Sequence, residues 1–145
     1  MFYWELPVYQ KAQELVIGVD RLIKQLPNKP QTWVISRQLF DAVTSIGANI
    51  AEGRGRHIGK EYERFLYYAQ GSANEVDHWL RTMKDCSVGP LSEVERLQAL
   101  NVEVLKLLSA TMSSLRRKRL QADTKALREE SVKYEMELLE EDVPF

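Results

Sequence analysis

The sequence predicts an all-α chain folded as an antiparallel, up-down-up-down four-helix bundle. Three observations predict it. Apolar residues recur at spacings of three and four through four long segments. Proline and glycine cluster in the short stretches between those segments. Strand-like alternation is sparse. Amphipathic helices joined by short links pack most simply with neighbours running in opposite directions.

The first helix is expected from about Pro7 to Leu26. Proline suits the first helical position, where its missing N–H costs nothing. Its stripe is Val8, Ala12, Leu15, Val16, Val19, Leu22, Ile23 and Leu26, and Pro27-Asn28-Lys29-Pro30 follows it. The second helix is expected to begin near Thr32, a plausible N-cap. Its stripe is Ile35, Leu39, Ala42, Val43, Ile46 and Ile50, and it ends in the glycine-bearing run from Gly53 to Gly59. The third runs from about Lys60 to Cys86, with a stripe through Tyr62, Phe65, Leu66, Ala69, Ala73, Val76, Trp79, Leu80 and Met83. Val88-Gly89-Pro90 closes it.

The fourth opens at Ser92-Glu93-Val94-Glu95, which reads as a capping box between Ser92 and Glu95. Its stripe is Val94, Leu97, Leu100, Val104, Leu107, Leu108, Met112 and Leu115, and it continues to about Ala122. Residues 1–122 are thus expected to form the bundle and residues 123–145 an acidic extension. The extension's thin stripe of Leu127, Val132, Met136 and Leu139 predicts a frayed helix, or one that docks on a partner.

The 145 residues fit one domain. Only one cysteine is present, Cys86, so the chain cannot close an internal disulfide or build a cysteine-based zinc site. The absence of a long apolar run or signal-like start predicts a cytoplasmic, unprocessed chain with no membrane partner. Charge is unevenly placed. Residues 1–128 carry 19 Lys and Arg against 14 Asp and Glu, whereas residues 129–145 carry one Lys against seven acids. A mildly basic body permits contact with nucleic acid without requiring it.

Two stretches interrupt the plain apolar pattern. One is Ser45-Ile46-Gly47-Ala48-Asn49-Ile50-Ala51-Glu52-Gly53-Arg54-Gly55-Arg56, and the other is Ala69-Gln70-Gly71-Ser72-Ala73-Asn74-Glu75. Gly47, Ala48, Gly71 and Ser72 are small enough to let helix backbones approach closely. Asn49 and Glu52 share a face, as do Ser72 and Glu75.

These stretches carry a family resemblance. Asn49-Ile50-Ala51-Glu52-Gly53 with the basic residues after it, and Gly71-Ser72-x-x-Glu75, resemble the paired signature of the 23S rRNA-intervening sequence proteins, also called four helix bundle proteins. The likeness covers about residues 4–119 and leaves out the acidic extension. It implies a helical protomer assembled as a ring-shaped homopentamer. A related group serves as the accessory subunit of the reverse transcriptase in diversity-generating retroelements, where the bundle binds polymerase and nucleic acid. This chain lacks the Gly/Trp-rich ending typical of that group.

These residues suit three functions. The first is a non-catalytic homo-oligomeric module that engages RNA or DNA. Arg54, Arg56, His57, Lys60 and Arg64 surround the turn between helices two and three, and Arg116, Arg117, Lys118 and Arg119 lie late in helix four. Antiparallel packing brings both groups to one pole, and repeated positive charge binds phosphates in a salt-dependent way. The plainer reading is that late Arg and Lys offset the helix dipole and aid solubility.

The second function is a scaffold or accessory subunit, for a reverse transcriptase or another protein. The acidic extension, with Glu129, Glu130, Glu135, Glu137, Glu140, Glu141 and Asp142, would touch the partner or shield the basic pole. The third is a metal-dependent enzyme, suggested by Glu75-Val76-Asp77-His78. Helical di-metal sites need two Glu-x-x-His motifs and further carboxylates, and the only other histidine is His57. The sequence therefore predicts no metal, no cofactor and no catalytic residue. Asn49, Glu52, Ser72 and Glu75 are expected to act as polar residues of a protomer interface. Tyr3, Trp4, Tyr9, Trp33, Tyr67 and Tyr68 lie outside the stripes and suit base stacking or, more often, protomer seams.

Overall fold

A computed structural model describes residues 1–56 and 59–141. His57 and Asp142, singled out above, lie outside the described residues. A short 3-10 turn (Tyr3–Glu5) leads into four α-helices: α1 (Pro7–Lys24), α2 (Pro30–Arg56), α3 (Gly59–Asp85) and α4 (Leu91–Glu141). Among the described residues there is no strand. α1 packs on α2 and α4, and α3 packs on the same two, so the four helices close around one core.

That core is built from the predicted stripes. Leu15, Leu22, Leu39, Ile46, Ile50, Leu66, Leu80, Met83, Leu97 and Leu108 are its largest fully buried side chains. Val16, Ile23, Leu26, Trp79, Leu100, Leu107 and Leu115 pack around them, half-buried. Each fully buried aliphatic side chain contributes about 1.5–3 kcal/mol, so this interior dominates the stability of the protomer.

The helix starts differ from expectation at two places, and for one reason. α2 begins at Pro30, with Trp33 N–H donating to the Lys29 carbonyl at 3.0 Å. α4 begins at Leu91, with Val94 N–H donating to the Pro90 carbonyl at 3.1 Å. Proline with its fixed φ starts the turn earlier than Thr32 or Ser92 would cap it. Thr32 is buried inside the helix instead, and Ser92 lies within the first turn of α4. Glu95 meets Lys84 of α3 at 3.5 Å.

Glycine also acts otherwise than expected. α2 continues through Gly53 and Gly55 to Arg56. A Cβ on Gly53 would lie 2.7 Å from Phe65 Cβ and 3.0 Å from Tyr62 Cδ2, so this glycine admits α3 rather than ending α2. Gly18, not singled out above, plays the same part between α1 and Leu97 of α4. Gly47 sits against Tyr9, whereas Gly71 and Ala48 are exposed and admit no helix of this protomer.

α3 is closed by Ser87 rather than by the glycine two positions on. Ser87 takes a φ of 53°, its N–H donates to Lys84, and Val88 N–H reaches back to the Met83 carbonyl at 2.8 Å. That pair of bonds is a Schellman cap.

α4 departs most from expectation. It does not break near Ala122 but runs on as one helix to Glu141. From Leu120 to Glu140 every residue is exposed, so the last stretch projects past the bundle into solvent. Its 21 residues span about 32 Å at ~1.5 Å per residue.

Candidate nucleic-acid interface

Antiparallel packing carries the end of α2, the start of α3, the start of α1 and the middle of α4 to one tip. Contacts fix that placement. Arg119 of α4 pairs with Glu63 of α3 at 3.2 Å, and its side chain lies against Gly59. Arg116 donates to the Tyr67 hydroxyl of α3. Arg54 donates to the Met1 carbonyl at 3.1 Å, which pins the N-terminus to the end of α2. The two basic groups of the sequence therefore share one tip.

They are not equally available there. Arg119 and Glu63 are largely buried, and Glu63 Oε1 and Arg119 Nε have no hydrogen-bond partner among the described residues. Such a pair ties α3 to α4 and fixes their register more than it stabilises them. Arg54 is held by the N-terminus, and its charge opposes the effect of burial on Tyr62. Burial of the Tyr62 phenol dominates and raises its pKa above the ordinary 10.0. Arg56 pairs with Glu52 at 2.8 Å and Arg64 with Glu61 at 3.3 Å, each within its own helix. Exposed pairs of this kind are worth less than about 1 kcal/mol and open readily. Both guanidinium groups also flank the Phe65 ring, at 5.5 and 5.9 Å from its centroid. Lys60, Arg117 and Lys118 are exposed.

Three of the aromatics singled out in the sequence, Tyr3, Trp4 and Tyr9, form a cluster at the same tip with Phe2, which was not. Phe2 and Trp4 stack at 4.4 Å, Tyr3 meets Trp4 edge-on at 5.0 Å, and Tyr3 meets Tyr9 likewise. Phe2 and Trp4 stay at least half exposed. Glu5 accepts from Phe2 N–H at 2.6 Å and holds the turn that presents them. Only the fold shows that the N-terminus ends beside Arg54.

The four signature residues separate. Ser45 and Ser72 hydroxyls meet across the α2–α3 seam at 2.9 Å, and Asn49 donates to the Ser45 carbonyl at 2.9 Å and its hydroxyl at 3.1 Å. Asn49 and Ser72 thus belong to one half-buried seam. Glu52 sits near the tip, paired with Arg56. Glu75 lies well up α3 and accepts from Trp79 Nε1 at 3.4 Å. The acids do not converge. Among the described residues, no three His, Cys, Asp or Glu side chains gather in metal-binding geometry. No described helix is long and apolar enough to cross a membrane.

Asn101, which the sequence reading passed over, is the polar group deepest in the core. It donates to the Ala73 carbonyl at 2.8 Å, and its own Oδ1 is buried with no partner among the described residues.

Comparison with known proteins agrees with this architecture. The family described as 23S rRNA-intervening sequence protein matches residues 4–110. No curated protein matches the chain. A crystal structure from Bacteroides thetaiotaomicron, described as a protein with unknown function from the S23 ribosomal protein family, is similar with a TM-score of 0.67 and 28% identity. The likeness covers 72% of this chain and 97% of that one.

Proposed function

The chain belongs to the 23S rRNA-intervening sequence protein family, and from that premise we propose that it is a non-catalytic, homo-oligomeric binding module that engages RNA or DNA through its basic tip. The observation that carries this reading is the convergence of Arg54, Arg56, Lys60, Arg64, Arg116, Arg117, Lys118 and Arg119 at one end of the bundle. Lys60, Arg117 and Lys118 are the exposed charges that would meet phosphates first, and Arg56 and Arg64 would follow by exchanging a weak carboxylate partner. Phe2 and Trp4 offer faces on which unpaired bases stack. Arg119 and Arg54 serve mainly to build the tip.

Self-association is supported by the outer face of the α2–α3 hairpin. Ala48 of α2 and Tyr68 and Gly71 of α3 are exposed along it, and Tyr67 beside them reaches Arg116 of α4. A second copy seated on this face would cover aromatic area and use the missing side chain at Gly71. A ring of copies, five by the family's resemblance, would repeat the basic tip around one axis.

The test is binding of a generic single-stranded RNA and a duplex DNA across a salt series, with the oligomer mass read alongside. Binding that weakens steeply with salt, and that is lost when Lys60, Arg117 and Lys118 are changed to Glu, supports the reading. No binding at low salt removes it. Gly71→Trp should lower the oligomer mass, and an unchanged mass would place the interface elsewhere. An accessory role beside a reverse transcriptase has no observation here that favours it over the tip.

A further inference from the structure

Between the start of α1 and the middle of α4 lies a cleft of about 380 Å³, within the size range of small-ligand pockets. It opens at the same tip as the basic groups. One wall is Leu6, Pro7 and Val8. The other is the face of α4 that carries Leu107, Thr111, Ser114 and Lys118, spaced by three and four. Arg54 of α2 and Tyr62 of α3 complete it. Val8 and Tyr62 are buried and form the floor, whereas Pro7 and Lys118 are exposed at the rim.

The donors of this cleft are short of acceptors. Tyr62 is only 6% exposed, yet its hydroxyl has no hydrogen-bond partner among the described residues. It lies near enough to Arg54 to feel that charge. Arg54 donates one N–H to the Met1 carbonyl, and its Nε is buried without a partner among the described residues. A buried donor left unpaired is destabilising, and a ligand oxygen would relieve it. No carboxylate lines the cleft to neutralise Arg54 or Lys118. α1 also begins in the cleft wall with no side-chain cap, so the positive end of its dipole faces no internal anion.

Two full cations, the Tyr62 and Ser114 hydroxyls and a helix start thus surround an apolar floor. An anion with two charges and several acceptor oxygens matches that set. A phosphomonoester carries about −1.5 to −2 charge and three such oxygens, whereas a carboxylate or an internal phosphodiester brings a single charge. We infer that the cleft receives a terminal nucleoside phosphomonoester, its phosphate between Arg54 and Lys118 and its nucleoside over Val8, Leu107 and Leu115. The inference rests on the reading that the tip engages nucleic acid, and it names the part of the strand held there. Internal phosphates of the same strand meet Lys60 and Arg117 outside the cleft. A free nucleoside monophosphate carries the same chemistry as a strand end, so the test includes both.

The full chain is titrated with three labelled single strands: one 5′-phosphorylated, one 3′-phosphorylated, and one hydroxyl-ended but two nucleotides longer, which matches the added charge. Adenosine monophosphate is titrated separately by equilibrium dialysis. At least one phosphorylated strand should bind about tenfold more tightly than the longer hydroxyl-ended strand. Ala110→Trp, at an exposed position lining the cleft, fills it and changes no charge. It should erase the preference and leave the hydroxyl-ended strand bound as before. Tyr62→Phe should reduce the preference, and circular dichroism checks that both variants fold. A phosphorylated strand that binds far more tightly than adenosine monophosphate assigns a strand end, and equal affinities assign the free nucleotide. Equal binding of all three strands with no binding of the mononucleotide would overturn the inference and leave the tip reading standing. So would a preference that persists in Ala110→Trp. If no strand binds at low salt, the tip reading falls, and the cleft survives only if the mononucleotide binds and Ala110→Trp abolishes that binding.

Discussion

Gly53 and Gly55 stand two positions apart in the same helix, yet a side chain at each would meet opposite surroundings. The Cβ of Gly53→Ala would press on Phe65 and Tyr62, including the Tyr62 carbonyl at 3.4 Å. That substitution should destabilise the fold by about 1–3 kcal/mol, as overpacking does. Gly55→Ala meets nothing within 4 Å and should stabilise by up to about 1 kcal/mol. Urea midpoints of the two variants check both signs. In the sequence the two glycines look alike, because a close approach depends on which residues of α3 lie opposite, and that depends on the register of the hairpin.

Tyr62 offers a second test at the level of a single group. Burial raises its pKa in the folded chain above the unfolded value of about 10. The unfolded state therefore loses its proton first as pH climbs. Stability is fully present below pH 10 and declines as pH rises through 10 toward the folded value. Tyr62→Phe should flatten that alkaline fall while leaving the neutral-pH curve close in shape. A decline of equal steepness in the variant would assign the effect to other tyrosines.

Among the elements, the four apolar stripes were legible because an interior of this size needs a continuous face from each helix, and that requirement sets the spacing of three and four. The helix starts were less so. Thr32 and Ser92 have good capping chemistry, but Pro30 and Pro90 lie upstream and set where the backbone first turns. The end of α4 was hidden because a solvated helix carries no core stripe to mark it. Asn101 was hidden for a different reason: its partner is the Ala73 carbonyl, and backbone groups leave no trace in sequence. Asn101→Leu removes a buried orphan oxygen and keeps similar volume. It should leave the protomer equally stable or raise it by about 1 kcal/mol, measured by chemical unfolding. A loss of more than about 2 kcal/mol would mean that the amide secures more than one bond.

For the whole molecule, antiparallel topology alone sufficed to predict a shared basic tip. What it could not predict was the division of labour within that tip, since Arg119–Glu63 and Arg116–Tyr67 depend on how far α4 has slid along α3. That division predicts unequal effects. Changing Lys60, Arg117 and Lys118 to Ala should reduce the slope of log affinity against log salt by about 2–3 on single- or double-stranded nucleic acid, with the fold intact. Changing Arg119 to Ala should lower stability first, because it leaves Glu63 buried without its cation. Salt titrations and melting curves on the same samples separate the two.

The stacked Phe2–Trp4 pair has a spectroscopic consequence. The chain's three indoles are spread along its length: Trp4 beside Arg54's end of the bundle, Trp33 at the opposite end bonded to Asn28, and Trp79 half-buried in α3. A polynucleotide that occupies the basic end should quench the emission of a chain retaining only Trp4, and should leave a chain retaining only Trp33 as bright as before. The native fluorophores thus act as a built-in ruler that reports which end of the rod a ligand has found.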